Sequence, residues 1–235
     1  MSELSSLIRV MKGATGKAAR ILSRDFNELK SLQSSQKPND AFVNRAFDKI
    51  KDTLIYELEK ARPEFGLTAY EYNKESTSEN EERWVVNILD GSKNFSHAIP
   101  AFAIGIAVEE KRYGKTEIIS GFIYLPATNE QFFAEKGQGA WHEGSGVTRI
   151  RVSARKSKSS LLGVGEVGDI DSINFGSDLM ACAYVACGRI DFAKVKSGYS
   201  EVASGMLIVR ESGGSVEENA GELIFSNSVL GKLIK

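Results

Sequence analysis

The chain has 235 residues, and 30 Lys+Arg against 31 Asp+Glu leave a formal net charge of −1, which gives no electrostatic case for binding nucleic acid. A hydrophobic content of 42% suits a globular protein able to bury a sizeable core, as one large domain or two closely packed halves. No apolar run approaches the roughly 20 residues that a membrane-spanning helix needs.

Near the start, Leu4, Leu7, Ile8, Val10 and Met11 are too broken up by polar residues for a signal peptide. With Ala18, Ile21, Leu22 and Phe26 they keep helical spacing, which predicts a helix over 2–32 softened at Gly13 to Gly16. Residues 34–40 have turn chemistry and read as a loop. Phe47, Ile50, Leu54 and Leu58 set a second helix over 42–58, ending near Ala61-Arg62-Pro63 because the residue before proline resists the α region. The acidic stretch 73–82 reads as a solvated loop.

Strand patterns follow. Residues 84–90 form a strand, and Gly91-Ser92 breaks it and opens a helix. Runs 102–108 and 118–124 are apolar strands separated by a turn over 111–116, and 131–134 with 139–141 make a further pair. Strands at 149–152 and 161–164 begin a second half, dividing the chain into 1–148 and 149–235. Residues 174–187 form a helix ended by Gly188, then comes a strand at 190–193 and a helix over 200–211 stopped by Gly213-Gly214. Cys182 and Cys187, five apart, would point apart on that helix, so two unpaired buried thiols and a reducing cytoplasm are expected. This mix of helices and apolar strands predicts a layered α/β or α+β protein.

The chemistry concentrates in 84–100, W-V-V-N-I-L-D-G-S-K-N-F-S-H-A-I-P. A strand that delivers carboxylates to an exposed helix start can hold a divalent cation through Asp90 and a phosphate on the N–H groups of Gly91 and Ser92. The stretch resembles the signature D-P-(I/L)-D-G-(T/S)-x-N-F-x-H of the inositol monophosphatase family. The resemblance continues in Gly121-Phe122-Ile123-Tyr124-Leu125-Pro126, in Gly137-Gln138-Gly139-Ala140, in Tyr184-Val185-Ala186-Cys187-Gly188-Arg189 and in 202–214. Arg24-Asp25-Phe26 and Ala61-Arg62-Pro63 are similar to the extragenic suppressor SuhB branch of that family. The resemblance implies the αβαβα sandwich of the sugar-phosphatase superfamily, a homodimer formed through 102–108 and 118–124, and Mg²⁺-dependent hydrolysis of inositol or sugar monophosphates.

By the same resemblance, each metal-ligand position was matched separately. The first of the family's paired Glu ligands falls on Tyr70, with Glu71 intact beside it. Asn87 replaces the first signature Asp and Ile88 its Pro; Leu89 can lend a backbone carbonyl, and Asp90 is intact. The W-D of the last signature reads Tyr199-Ser200, so that ligand Asp is Ser200. The Asp that orients water is Phe47, the Glu for an inositol hydroxyl matches Ala193, and Ser92 stands for the Thr that assists water.

Neutral replacements cannot hold two Mg²⁺ ions, so metal binding is expected to be weak or absent. Asp90 is expected to cap the helix starting near Ser92, Ser200 to cap the 200–211 helix, and Tyr70 with Phe47 to fill the emptied cavity. A rebuilt cage would draw on Asp48, Glu71 or Glu201, each beside a lost ligand. Lys93 reads as a solvated cation or an aid to anion binding, His97 as a structural group, and His142 as isolated. The expected function is therefore that of a family member with hydrolysis strongly impaired or lost. A binding or regulatory role would remain, with a regulatory protein or an RNA-processing factor as partner. The alternatives are an active Mg²⁺-dependent inositol-1-monophosphatase with a rearranged cage, and a binding module keeping only the anion site at Gly91-Ser92.

Overall fold

A computed structural model describes residues 4–32, 40–167, 170–219, 221–227 and 230. Helices α1 (Ser6–Leu32) and α2 (Asp40–Ala61) form an outer layer. Their helical period has a direct outcome: Ile8, Met11, Ala18, Leu22 and Leu29 of α1, with Ile50, Leu54 and Leu58 of α2, are buried on one face. The helix α1 runs unbroken through Gly13 and Gly16, which meet open space; burial of the apolar face outweighs about 1 kcal/mol per glycine. The loop expected over 34–40 lies outside the described residues, except that Asp40 already begins α2.

Beneath these helices lies a sheet ordered β2-β1-β3-β4-β5-β6-β7-β8. Its strands are β1 (Gly66–Ala69), β2 (Tyr72–Lys74), β3 (Arg83–Asp90), β4 (Ala103–Arg112), β5 (Lys115–Leu125), β6 (Glu130–Glu135), β7 (Gly139–Glu143) and β8 (Val147–Ile150). The hairpin β1–β2 was not anticipated, and β2 takes the first residues of the stretch expected to be loop. Four- and three-residue strands carry too little periodicity to be read locally. The β4–β5 turn is tighter than expected: only Tyr113 (φ 51°) and Gly114 (φ 75°) lie between the strands, the backbone that a two-residue hairpin demands.

Two further helices, α4 (Asp178–Ala186) and α5 (Tyr199–Glu211), pack between this sheet and a second one ordered β10-β9-β11-β13-β12. The second sheet comprises β9 (Leu162–Val164), β10 (Asp171–Ile173), β11 (Phe192–Val195), β12 (Ser215–Asn219) and β13 (Glu222–Ser226). Phe192 points to its outer side, where it meets Leu161 and Leu230. The result is the layered mixed α/β fold that the resemblance implied. Helix α4 starts later than the expected 174 because Ser177 caps it, its hydroxyl accepting the N–H of Met180 at 3.2 Å. The free thiols of Cys182 and Cys187 are buried and half-buried respectively.

Two expectations meet the topology differently. The division at 148/149 falls inside β8, a strand of the first sheet, and α4 and α5 of the second half pack on that same sheet. The second expectation concerns the dimer surface at 102–108 and 118–124. Those residues belong largely to the central strands β4 and β5, with Ile104, Ile106 and Phe122 packed toward α1 and α2, and Ala103, Ala107 and Ile123 toward α4 and α5. Most of these side chains are covered by this chain's own helices, with Ile119 and Tyr124 half-buried.

Candidate active-site cleft

At the end of β3 the ladder with β4 shifts register between Asn87 and Asp90, which bends the chain. Gly91 then adopts φ +77°, and a Cβ there would sit 2.7 Å from the carbonyl oxygen of Ala101, so the turn requires glycine. It leads into α3 (Ser92–Ser96), a helix of only five residues. Asn94 holds this turn in place by donating from Nδ2 to the carbonyls of Ala101 and Phe175, each at 2.6 Å. Phe95 anchors it between Phe26 and Phe102.

A cleft of about 750 Å³ opens beside this turn. Asn44 and Phe47 of α2, Tyr70 after β1, Asn87 and Leu89 of β3, Ser92 and Lys93 of α3, and Ser200 and Glu201 of α5 all line it. Residues far apart in sequence at the positions expected to form a metal cage are thus brought together. The expected collapse is not what the side chains do. Phe47 and Tyr70 pack edge to face with centroids 5.5 Å apart, yet Tyr70 stays 61% exposed. The pair rims an open cleft instead of filling it, because Tyr70 sits at a hairpin turn with no layer above it among the described residues.

The polar groups also take partners other than those expected. Asp90 does not cap α3: its Oδ2 accepts the N–H of Leu179 at 2.9 Å and the hydroxyl of Ser177, so it caps α4. Part of the residue reaches solvent, but the carboxylate is enclosed, and it does not line the cleft. Burial pushes its pKa up to about 6, against the two hydrogen bonds and helped by the charges of Asp178 and Glu201. Ser200 is not a helix cap either. Gly198 holds that position in α5, and Glu201 Oε2 accepts its N–H at 2.7 Å, half of a capping box. Asn87 donates from Nδ2 to the carbonyl of Glu201 at 3.0 Å, which ties β3 to the start of α5.

The candidate carboxylates for a rebuilt cage are elsewhere or engaged. Asp48 is exposed and faces Lys51 at 3.5 Å. Glu71 is exposed at the β1–β2 turn with φ 52° and stays out of the lining. Glu201 lines the cleft, with its carboxylate on Gly198. Ala193 is buried in the core. His97 is exposed at the end of α3, whereas His142 is not isolated: its Nε2 lies 3.0 Å from Glu130, which also pairs with Arg189. Glu130 joins His142 and Arg189 from separate elements, where no sequence spacing points to them.

Mg²⁺ binds hard oxygen ligands and needs nearby anionic charge. At the positions that the resemblance matches to metal ligands, the cleft offers the phenol of Tyr70, the amide of Asn87, the hydroxyl of Ser200 and the carbonyl of Leu89. Among the described residues, no group of three or more His, Cys, Asp or Glu is placed to hold a metal ion. This donor set does not fit a Mg²⁺ pair.

Comparison with known proteins agrees with the architecture. The model of the inositol monophosphatase family matches residues 3–233. An inositol-1-monophosphatase of Mesorhizobium japonicum is 37% identical over 92% of the chain and 87% of its own length. The Nus factor SuhB of Escherichia coli strain K12 is 30% identical over 92% of the chain and 86% of its own length. Among solved structures, the extragenic suppressor protein suhB from Bartonella henselae superposes with a TM-score of 0.82 at 32% identity, over 99% of this chain and 97% of that one.

Proposed function

The chain belongs to the inositol monophosphatase family, and from that premise we propose that it keeps the family's cleft but has lost most or all of its Mg²⁺-dependent hydrolysis. What remains is a binding or regulatory role. One observation carries this reading: Tyr70, Asn87 and Ser200, which the resemblance matches to metal ligands, line the cleft, while Asp90 caps α4. Each missing carboxylate removes an attraction that is large in a partly enclosed site. Without that charge a divalent ion stays hydrated, and no hydroxide is generated beside a phosphate. A similar relative named as a Nus factor fits a regulatory role; a similar relative named inositol-1-monophosphatase fits the opposite reading, an active enzyme.

The deciding measurement is phosphate release from inositol 1-phosphate in millimolar Mg²⁺, alongside an Asp90→Asn control. The wild type is expected to match the control. Turnover at about 1 s⁻¹ or faster, an ordinary enzymatic rate, would establish the active reading instead.

A further inference from the structure

Resting on the reading that the cleft works without divalent metal, we infer that it takes a planar ring ligand carrying a single negative charge, the chemistry of a nucleoside phosphodiester. Charge sets the first condition. Lys93 and Glu201 are the Lys, Arg, Asp or Glu side chains in the lining, and the Glu201 carboxylate already accepts the N–H of Gly198. The ammonium of Lys93 makes no ion pair among the described residues. Glu201 keeps its negative charge when it accepts the N–H of Gly198, so the lining is formally neutral and disfavours a dianion more than a monoanion, with Lys93 as the one cation to meet it. A phosphate monoester, whose second pKa is about 6, carries nearly two charges at neutral pH, and its second charge would find no partner here. A phosphodiester carries one.

The rim sets the second condition. Phe47 holds Tyr70 edge to face at 5.5 Å, while the Tyr70 ring remains 61% exposed. An aromatic side chain that is positioned yet uncovered is a stacking surface for a flat ring. The third condition is hydrogen bonding. Asn87 spends an N–H on the carbonyl of Glu201, so its amide is fixed in orientation and keeps its oxygen as acceptor. Asn44 adds a second amide to the lining, and amides pair with the donor–acceptor edge of a base. A polyol ring has no π face to lay on Tyr70, and the one carboxylate of the lining, Glu201, already spends Oε2 on the N–H of Gly198. The volume of about 750 Å³ is within the ordinary range for small-molecule sites, roughly 300–1,000 Å³.

Titration calorimetry of the full chain in EDTA tests this with probes that separate shape from charge. They are 3′,5′-cyclic AMP and the dinucleotide ApA (planar, one charge), AMP (planar, near two) and myo-inositol 1,2-cyclic phosphate (one charge, no π face). The expected result is that cyclic AMP or ApA binds at least about tenfold more tightly than AMP and the inositol cyclic phosphate. Tyr70→Ala and Lys93→Gln should each weaken that binding by about tenfold, and Tyr70→Phe should retain it. Preference for cyclic AMP or for ApA tells a free nucleotide from a strand, and either supports the inference. Equal affinity for the inositol cyclic phosphate, or no nucleotide binding at millimolar concentration, overturns it. Hydrolysis of inositol 1-phosphate in Mg²⁺ overturns the proposed function instead, so the two failures are distinguishable.

Discussion

In the seam between the two sheets, α4 and α5 approach so closely that side chains are excluded. A Cβ at Gly121 of β5 would lie 2.9 Å from the carbonyl oxygen of Ser204 in α5, and one at Gly205 would lie 2.7 Å from Cβ of Cys182 in α4. The cleft at the end of β3 is the opposite case: it accommodates Phe47 and an exposed Tyr70 with open space beside them. The difference separates what holds the fold from what sets its chemistry. Close packing in the seam specifies the layer spacing, while Asn87 and Ser200 of the cleft lie outside the hydrophobic core.

Substitutions should therefore be costly in the seam and mild at the rim. Gly121→Val is expected to destabilise the protein by about 3 kcal/mol, because the obstruction is backbone and overpacking cannot relax around it. Urea denaturation measures this, and a loss below about 1 kcal/mol would mean the seam is looser than its geometry.

Next in size is the restoration of charge. The combined variant Tyr70→Glu, Asn87→Asp, Ser200→Asp and Phe47→Asp should be less stable than wild type without metal, since clustered carboxylates repel. Mg²⁺ at 100 times its dissociation constant should then add about 2.7 kcal/mol. Under the same Mg²⁺ the wild type should show no rise in melting temperature. A wild-type rise of several degrees that Asp90→Asn abolishes would show that the cleft already holds the ion.

Asp90 lies on the border between the two regions and should reveal itself through pH. Its folded pKa, about 6, lies above the unfolded value near 3.8. Its stabilising contribution is thus complete below about 3.8 and is lost as pH rises through about 6, because the native site binds the proton more tightly. The change is on the order of 3 kcal/mol, from 1.36 kcal/mol per unit. Asp90→Asn should flatten this part of the stability curve while leaving the fold intact; an identical pH profile in both proteins would rule out an enclosed carboxylate.

The smallest effect is expected at the rim. Tyr70→Ala should cost about 0.5 kcal/mol, the low end for an aromatic pair, since Tyr70 is 61% exposed. A loss of 2 kcal/mol or more in thermal unfolding would place Tyr70 in the core rather than at the rim.

Much of this was legible from the residues alone. Periodicity located both long N-terminal helices, and the apolar runs around Ile104 and Phe122 located β4 and β5, because burying one face of an element leaves a repeat in the sequence. Residue identity also determined that Tyr70, Asn87 and Ser200, matched to metal ligands by resemblance, are neutral wherever they are placed. Tertiary structure decided the partners. The acceptor for Ser177 is Asp90, 87 residues away, and the acceptor for Asn87 is the carbonyl of Glu201, 114 residues away. The exposure of Tyr70 depended on whether another layer lay above the β1–β2 turn, and the strands β12 and β13 depended on pairing with each other and with β11. A periodic pattern records only that a face is covered. Which group covers it, and which donor meets which acceptor, is fixed when segments distant in the chain are packed together, because hydrogen bonding and desolvation act across space and leave no mark in local spacing.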